Sequence, residues 1–273
     1  MQAEPTTFRD TPCIRLHANG ATALVALHGA HVLSWIPADG CERLFLSDRA
    51  MFDGQAAIRG GIPLVFPQFA ERGPLHKHGF ARTTPWTFHG IDDEAALFKL
   101  ADDGTRFPGW PHPFRARLRL QLTATQLSVT LEIANTGNTP FAFTAALHTY
   151  LRVTDIASVT LEGLQGCDYE DSANDGTLHR EHNYELTFDG EVDRIHGDVV
   201  APLALIDGNG ALAIEQEGFG DVVTWNPGEQ LAARIGDLSP GDHRHFVCVE
   251  AAQVMQPVVL VPGETWTGMQ RLG

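Results

Sequence analysis

Apolar and polar residues alternate strictly along two neighbouring stretches of the chain. In residues 118–122 every second residue is a leucine, and polar or charged residues stand between the leucines. In residues 127–133 leucine, valine and isoleucine again occupy every second position. A period of two is typical of strands with one buried face and one solvated face. The turn residues Asn135-Thr136-Gly137-Asn138 end the second stretch, so the pattern predicts two half-buried strands with a short connection between them.

Similar short runs follow one another along the chain and define its fold class. They cover residues 22–27, 31–36, 141–153, 158–162, 184–188, 202–206, 211–215, 221–225, 245–251, 257–261 and 265–271. Turn pairs such as Asp39-Gly40 and Pro262-Gly263 separate them. Helical periodicity is weak, and the best helical stretch, Glu229 to Gly236, has one or two turns. We predict an all-β protein with a large β-sandwich, and a single domain over residues 1–273 because no repeat or linker divides the chain.

The charge balance limits the possible partners. Lys and Arg number 19 against 34 Asp and Glu, which gives a formal net charge of −15. A negative field repels polyanions, so we expect no nucleic-acid partner and no acidic membrane surface as a partner. A small anion held by a local pair of arginines is still compatible with this charge.

The cysteines and the N-terminus bear on the cellular compartment. The four cysteines form no C-x-x-C pair, which favours reduced thiols. The first residues, MQAEPTTFRD, lack the basic and apolar regions of a signal peptide, and no apolar run is long enough to span a bilayer. We therefore expect a soluble cytoplasmic protein, and we expect it to act as a monomer.

A polar row within residues 141–153 is the first candidate for chemistry. If this stretch is one strand, Leu147, Leu151 and Val153 share one face, and His148 shares the other with Tyr150 and Arg152. Such a strand would have one side on the core and one side lining a polar cleft. The structural alternative is a histidine whose hydrogen bonds are satisfied by a neighbour.

Glu250 is the second candidate, because it is the only charged residue in the apolar stretch Phe246-Val247-Cys248-Val249-Glu250-Ala251-Ala252. An unpaired buried carboxylate is costly, so this group must be paired, protonated or facing a cleft. Partial burial raises the pKa of a carboxyl group, which suits a general base. The structural alternative is a salt bridge.

The third candidate is the Gly- and Pro-rich stretch from Ile58 to Arg82. Arg59 stands beside two glycines, which would let backbone and ligand approach closely, and Arg82 closes the stretch. A guanidinium presents a planar fork of donors that fits a phosphate or a carboxylate. Two arginines in surface salt bridges are the structural alternative.

Two histidine pairs raise the question of a metal. His76 and His78 lie in the same Gly-rich stretch, and His243 and His245 follow a turn. Either pair could present two imidazoles on one side of a strand, but the spacing marks no third ligand. We therefore expect no metal site and no metal requirement.

Seven motifs in order carry a resemblance to a known family. They are RGGIPLVFPQF, HGFAR followed by PW, LHTYLRV, EVDRI, VVTWNP, FVCVE and PVVLVPGETWTGMQRL. Together they resemble the glucose-6-phosphate 1-epimerases, or hexose-6-phosphate mutarotases, of the galactose-mutarotase-like superfamily, from about residue 24 to the C-terminus. The resemblance implies a supersandwich fold and an isomerase that interconverts the α and β anomers of a hexose 6-phosphate without a cofactor.

The resemblance also implies roles for individual residues. His148 in LHTY matches the family's general acid, and Glu250 in CVE matches its general base. Arg59 and Arg82 match its phosphate-binding arginines. His78 and Asp193 match positions that hold sugar hydroxyls or orient the catalytic histidine, and a small-molecule sugar phosphate is then the expected partner.

Three departures from the family pattern affect the expected sugar more than the reaction. Lys77 stands where glutamine is usual and would add a cation among the substrate-binding residues. His196 replaces a tyrosine, and Gly228 replaces a tryptophan.

Three rival functions stay open at this level. A mutarotase of free aldoses such as galactose would leave the arginines without a phosphate. A non-catalytic carbohydrate-binding sandwich would bind sugar without accelerating anomer exchange. A metal-dependent β-sandwich hydrolase would need a ligand triad that the spacing does not show.

Overall fold

The computed structural model describes residues 1–208 and 210–273, and strands dominate it. In chain order they are β1 (Gln2–Phe8), β2 (Thr11–Ala18), β3 (Ala21–Ala26), β4 (His31–Ile36), β5 (Leu64–Val65), β6 (Thr87–Asp92), β7 (Ala95–Asp102), β8 (Phe114–Leu122), β9 (Leu127–Asn135), β10 (Phe141–Leu147), β11 (Tyr150–Arg152), β12 (Thr160–Glu162), β13 (Asp168–Asp171), β14 (Thr177–Arg180), β15 (Glu185–Thr187), β16 (Val192–His196), β17 (Leu203–Asp207), β18 (Gly210–Glu217), β19 (Asp221–Asn226), β20 (Phe246–Leu260) and β21 (Thr265–Leu272). One α-helix, α1 (Gly228–Ala232), occurs in the described ranges, with 3-10 turns at Ala81–Thr83, Ile156–Ser158, Ser172–Asn174 and Asp242–His245. The prediction of an all-β protein is confirmed.

The strands form three sheets. A four-stranded sheet has the order β1-β2-β3-β4. An eight-stranded sheet has the order β14-β13-β16-β19-β20-β10-β5, and β11 also pairs with β20. A nine-stranded sheet has the order β15-β12-β17-β18-β21-β9-β8-β7-β6. The short turns between successive strands account for the many antiparallel neighbours, because two antiparallel strands need only a tight connection.

The two large sheets pack face to face and form the predicted sandwich. The leucines of β8 and the apolar residues of β9 are buried, so the predicted alternation is confirmed. They share one hydrophobic cluster with residues of the eight-stranded sheet such as Val222, Val247 and Val249. This cluster runs from Ile14 to Leu272 and draws on all three sheets. A single domain over residues 1–273 stays a prediction.

The predicted strand at 141–153 is divided in the structure. β10 ends at Leu147 and β11 begins at Tyr150. Thr149 lies at the break, where its N–H donates to the carbonyl of Leu147 at 2.9 Å and its hydroxyl donates to Gln270 Oε1 at 2.5 Å. Leu147, Leu151 and Val153 still belong to the main core cluster, so the predicted alternation of faces survives the break.

Other elements differ from the sequence prediction. The pattern did not predict β1, β2, β5, β6, β7, β13, β14 and β16. β1 has no buried residue, and all of β14 is exposed, so these edge strands carry no alternation to detect. The runs at 245–251 and 257–261 are parts of one strand, β20, and the predicted helix ends at Ala232 rather than Gly236. No helix in the two described ranges has the length and apolar character needed to cross a membrane.

The sandwich packing predicts a specific loss of stability. Leu131 on β9 is 1% exposed within the main cluster, so Leu131→Ala should lower the free energy of unfolding by about 2–5 kcal/mol through lost burial and a residual cavity. The neighbouring Thr130 points to the other face, and Thr130→Ala should cost less than about 1 kcal/mol. Urea unfolding of both variants checks this. Equal losses would mean that the two faces of β9 are not distinguished by burial.

Candidate active site

The floor of a cleft lies on one face of the eight-stranded sheet. Asp193 on β16 pairs with Trp225 on β19, and Val223 on β19 pairs with Glu250 on β20. Directly paired residues of neighbouring strands point to the same face, and so do residues two apart on one strand. The register therefore brings all four side chains to one face.

The other face of the same strands packs into the sandwich. Val222, Val249 and Ala251 belong to the main core cluster. Val223 and Ile195 belong instead to a small separate cluster beside the cleft. Glu250 thus lies on a strand held on both faces, so its side chain has little freedom to move.

Arg59 reaches the cleft from the connection between β4 and β5, and two glycines fix its path. Gly60 and Gly61 have φ values of +108° and +62°. A Cβ atom on Gly60 would lie 2.4 Å from the carbonyl oxygen of Phe45, and one on Gly61 would lie 2.2 Å from that of Val32. Since any other residue would clash with backbone here, the close approach places Arg59 at the cleft.

His148 and Glu250 form the closest pair of titratable groups in the cleft. Nδ1 of His148 lies 3.2 Å from Oε1 of Glu250, and the two residues are 8% and 1% exposed. The contact lacks hydrogen-bond geometry. Nδ1 of His148 therefore has no hydrogen-bond partner among the described residues, and neither has Oε2 of Glu250. Buried polar atoms are normally satisfied, so these two are candidates for contact with a ligand.

Burial shifts both groups of this pair toward their neutral forms. It raises the pKa of Glu250 well above its usual range, and Asp193 raises it further. Burial also lowers the pKa of His148 well below its usual range, with smaller contributions from His78, Arg82 and Arg59. Each shift favours the neutral form of its group, so the titratable proton of the pair is favoured on Glu250 over His148.

Tyr150 connects this pair to Arg59. Its ring is parallel to the His148 ring, with centroids 4.9 Å apart and an interplanar angle of 5°. Its hydroxyl accepts a hydrogen bond from Nη1 of Arg59 at 2.9 Å. Asp237 accepts from Nε of Arg59 at 3.1 Å, so the guanidinium is held on two sides and keeps other N–H donors for a ligand.

Arg82 is a half-buried cation with few partners. Its Nη2 donates to the carbonyl of Lys77 at 2.9 Å. Its Nε is buried without a hydrogen-bond partner among the residues described. Burial lowers the pKa of Arg82 to about 10, yet the group stays charged at neutral pH. A half-buried guanidinium with a buried, unused Nε donor favours an anionic ligand.

His78 and Asp193 supply further polar groups. Nδ1 of His78 accepts the backbone N–H of Ala70 at 3.2 Å, and its pKa is lowered to about 2, chiefly by burial. His78 is therefore neutral and carries its proton on Nε2, where it can donate. Burial raises the pKa of Asp193 to about 6.

The cleft has a volume of about 340 Å³, within the range of about 300–1,000 Å³ that is usual for small-molecule sites. All seven site residues named from the sequence line it: Arg59, Lys77, His78, Arg82, His148, Asp193 and Glu250. Sequence reasoning did not name the other lining residues, which are Phe69, Ala70, Arg72, Ser172, Val223, Trp225, Leu231 and Ile235. No sequence signal marked Leu231 and Ile235, because they enter the site only through the fold of the chain around α1.

One residue of the predicted polar row lies elsewhere. Arg152 donates through Nε to the carbonyl of Leu44 at 3.2 Å and lies over the Phe45 ring. It does not line the cleft, so the predicted polar row reaches the cleft at His148 and not at Arg152. The side chain is long enough to turn toward the connection after β4, which the alternation of faces does not take into account.

Of the three departures from the family pattern, Lys77 alone lines the cleft. His196 is fully buried against Tyr169. Gly228 has a φ of +60°, and a Cβ atom there would lie 2.7 Å from the backbone of Gly190 and of Glu191. A tryptophan at this position is therefore incompatible with the local backbone.

The two histidine pairs do not form metal sites in the described ranges. His78 lies in the cleft and His76 is exposed. Nδ1 of His245 contacts the carbonyl of Thr154 at 3.0 Å, and His243 lines a different depression.

The cleft of this β-sandwich combines a buried histidine–glutamic acid pair with three arginines, Arg59, Arg72 and Arg82. Residues 12–273 match the family described as aldose 1-epimerase, and this chain belongs to that family. It is thus an isomerase of the epimerase and mutarotase type.

Several known proteins resemble this chain over most of its length. A "Putative glucose-6-phosphate 1-epimerase" from Cenchrus ciliaris is 36% identical over 270 residues, which cover 92% of this chain and 80% of the relative. A protein of the same description from Escherichia coli is 37% identical over 84% of this chain and 79% of its own length. The crystal structure of a putative mutarotase from Salmonella typhimurium has a TM-score of 0.89 and 30% identity, covering 99% of this chain and 92% of that one.

The raised pKa of Asp193 predicts a pH-dependent effect on stability. The folded protein holds a proton on Asp193 up to about pH 6, whereas the unfolded chain releases it near its ordinary pKa of 3.8. The stabilising contribution of this proton is complete below that ordinary value and is lost as the pH rises through 6. The side chain in Asp193→Asn cannot ionise. The free energy of unfolding of the variant minus that of wild type should therefore rise by up to about 3 kcal/mol from pH 4 to pH 8.

Urea unfolding of wild type and Asp193→Asn at several pH values measures this difference. A difference between the two proteins that is constant with pH would show that folding does not raise the pKa of Asp193.

Proposed function

We propose that this protein interconverts the α and β anomers of a hexose 6-phosphate, with glucose 6-phosphate as the substrate, and needs no cofactor. The observation that carries the proposal is the coexistence of the His148–Glu250 pair with Arg59 and Arg82 in one cleft. The names of the relatives from Cenchrus ciliaris and Escherichia coli support the choice of sugar.

The acid–base pair has the two functions that ring opening requires. His148, protonated when the pair's proton lies on the imidazole, donates that proton to the ring oxygen while Glu250 removes the proton of the anomeric hydroxyl. The bond from the anomeric carbon to the ring oxygen breaks, and an aldehyde forms. Rotation about the neighbouring carbon–carbon bond presents the other face of the aldehyde, and the same two transfers in reverse close the ring.

The single proton of the pair makes this sequence reversible. Before ring opening the proton is on His148, and after it the proton is on Glu250. Burial in the free protein favours the arrangement with the proton on Glu250. An anionic substrate that binds to the two arginines alters the electrostatic potential at the His148–Glu250 pair. The pair holds the same number of protons whether the proton is on His148 or on Glu250. The pair therefore needs no exchange with solvent during a turnover.

Arg59 and Arg82 are proposed to bind the phosphate. Arg59 is oriented by Tyr150 and Asp237, and Arg82 has an unpartnered buried Nε. His78, Asp193 and Lys77 are then proposed to contact sugar hydroxyls. His78 can donate from Nε2, and a carboxyl group such as Asp193 can accept or donate according to its protonation.

A mutarotase of free aldoses is the second candidate, since the family description names aldoses without a phosphate. It would use the same acid–base pair. It would also leave the buried Nε of Arg82 without an anion, which is costly, and for this reason the phosphorylated substrate is the better proposal.

The proposed setting is a cytoplasmic enzyme that works as a single chain. All four cysteines are free thiols, which suits a reducing compartment. The seven site residues all come from one chain, so a monomer suffices for the proposed reaction.

Removal of either proton carrier should slow catalysis with little effect on folding. Positioned general acid–base catalysis typically contributes about 10²–10⁴-fold, so His148→Asn and Glu250→Gln should each lower the rate of catalysed anomer exchange by about that factor. NMR exchange spectroscopy of glucose 6-phosphate measures it. The double variant should lose less than the product of the two single losses, because the two groups act as one unit. A single variant with near wild-type exchange would remove that residue from the proposed role.

Loss of either arginine should weaken the binding of the phosphorylated substrate more than the binding of the free sugar. A hydrogen bond to a charged group contributes about 1.5–3 kcal/mol, so Arg59→Ala and Arg82→Ala should raise KM for glucose 6-phosphate by about ten- to a hundredfold. Exchange of free glucose should change much less. Arg180→Ala, at an exposed ion pair on β14, is the matched control. It should change neither the KM for glucose 6-phosphate nor the exchange of free glucose. Equal losses on both sugars would assign the arginines a structural role.

A further inference from the structure

Cys248 is a buried thiol beside the catalytic pair that the proposed reaction does not use. It precedes Glu250 by two residues on β20, so both side chains point to the same face of the sheet. In the register of the sheet it stands between Tyr150 on β11 and Trp225 on β19. It is fully buried.

Three possible metal ligands meet at this point. A ring nitrogen of His148, Sγ of Cys248 and a carboxyl oxygen of Glu250 lie within 4.8 Å of one another. It is the one such group of three found in residues 1–208 and 210–273. Two of its potential ligand atoms, Nδ1 of His148 and Oε2 of Glu250, are buried without hydrogen-bond partners in these same ranges.

The distances are close to those of a tetrahedral zinc site. Zinc binds nitrogen and oxygen ligands at about 2.0–2.2 Å and sulfur at about 2.3 Å, so two ligands of one tetrahedral ion lie about 3.3–3.8 Å apart. Nδ1 of His148 and Oε1 of Glu250 are already 3.2 Å apart. The remaining separations are at most 4.8 Å, which exceeds the spacing of ligands around a tetrahedral ion by about 1 Å.

We propose that His148, Cys248 and Glu250 bind a thiophilic divalent cation, represented by Zn²⁺, in place of the sugar, so that zinc inhibits the enzyme. A thiolate and an imidazole select zinc over Mg²⁺ and Ca²⁺, which prefer sets of oxygen ligands. The fourth position of the ion faces the cleft and takes a water molecule. The inhibitory consequence rests on the proposed function, whereas the binding site itself does not.

Binding is balanced in atoms and in charge. The thiol of Cys248 and the carboxyl group of Glu250 each release one proton to solvent, and neutral His148 supplies the lone pair of Nδ1. One Zn²⁺ replaces two protons, so the net charge of the cleft is unchanged. For this reason the two nearby arginines do not oppose the exchange through added positive charge.

Metal binding is tested first without reference to activity. Co²⁺ replaces Zn²⁺ in thiolate sites and gives an intense thiolate-to-metal charge-transfer absorption, so the EDTA-stripped protein titrated with Co²⁺ should develop this band at one equivalent. Added Zn²⁺ should remove it. Cys248→Ala should show no band and should bind Zn²⁺ more than about tenfold more weakly, since one of three protein ligands is lost. Cys13→Ala, which removes a buried thiol from the four-stranded sheet, should bind like wild type.

Inhibition is tested next by anomer exchange of glucose 6-phosphate. Zn²⁺ should inhibit wild type, its apparent inhibition constant should rise with substrate concentration, and Mg²⁺ at the same concentration should have no effect. EDTA alone should leave the wild-type rate unchanged. EDTA added after zinc should restore that rate. Cys248→Ala should keep its basal rate and lose the inhibition. Cys248→Ser, which is closest in size to the native residue, replaces the alanine variant if that variant unfolds.

The two tests separate the two proposals. Absence of the charge-transfer band, or an equal band and equal zinc affinity in Cys248→Ala, would overturn the zinc site. Zinc inhibition that persists in a folded Cys248 variant would overturn the link between this site and inhibition. Zinc binding in a protein with no anomer exchange would support the site and contradict the proposed function alone.

Discussion

The burial of the Glu250 carboxyl group in the middle of a β-sheet is the constraint on which the rest of the site depends. At 1% exposure an ionised carboxylate is costly, and here the cost is limited because the pKa is raised and a histidine nitrogen lies 3.2 Å away. β20 holds the group in place, since β19 pairs with it on one side and β10 and β11 pair with it on the other. The packed sandwich behind the sheet then keeps water from the pair on that side.

The cations of the cleft are placed by a different kind of support. Arg59 and Arg82 come from connections and not from strands, and each is oriented by oxygen acceptors at about 3 Å. Tyr150 joins the two kinds of support, because its hydroxyl holds Arg59 while its ring lies parallel to His148. A shift of Arg59 on ligand binding would therefore move the rigid Tyr150 ring and, through it, the His148 imidazole.

The sequence predicts the sandwich and the seven cleft residues. Only some of these predictions follow from the physical chemistry of the residues, and the others depend on the family resemblance. The isolated charge of Glu250 and the alternation around His148 indicate a polar cleft without any comparison, and the structure brings both residues together. Arg59, Arg82 and Asp193 were identified through the family resemblance, since spacing alone did not distinguish them from surface ion pairs. Cys248 could have been recognised from its place two residues before Glu250. Asp237 could not, because its contact with Arg59 spans 178 positions of the sequence.

The division between sheet and connections has a consequence for how this architecture can diversify. Glu250, the proposed base, is tied to the register of β20, which cannot slip by one residue without turning every side chain to the opposite face. Arg59, Lys77, His78 and Arg82 are on connections, whose length and composition can change without disturbing that register. Descent from a common ancestor can thus retain one reaction while the range of accepted sugars drifts. An engineer who wants a new sugar specificity should exchange the connection that carries Arg82 and leave β20 alone.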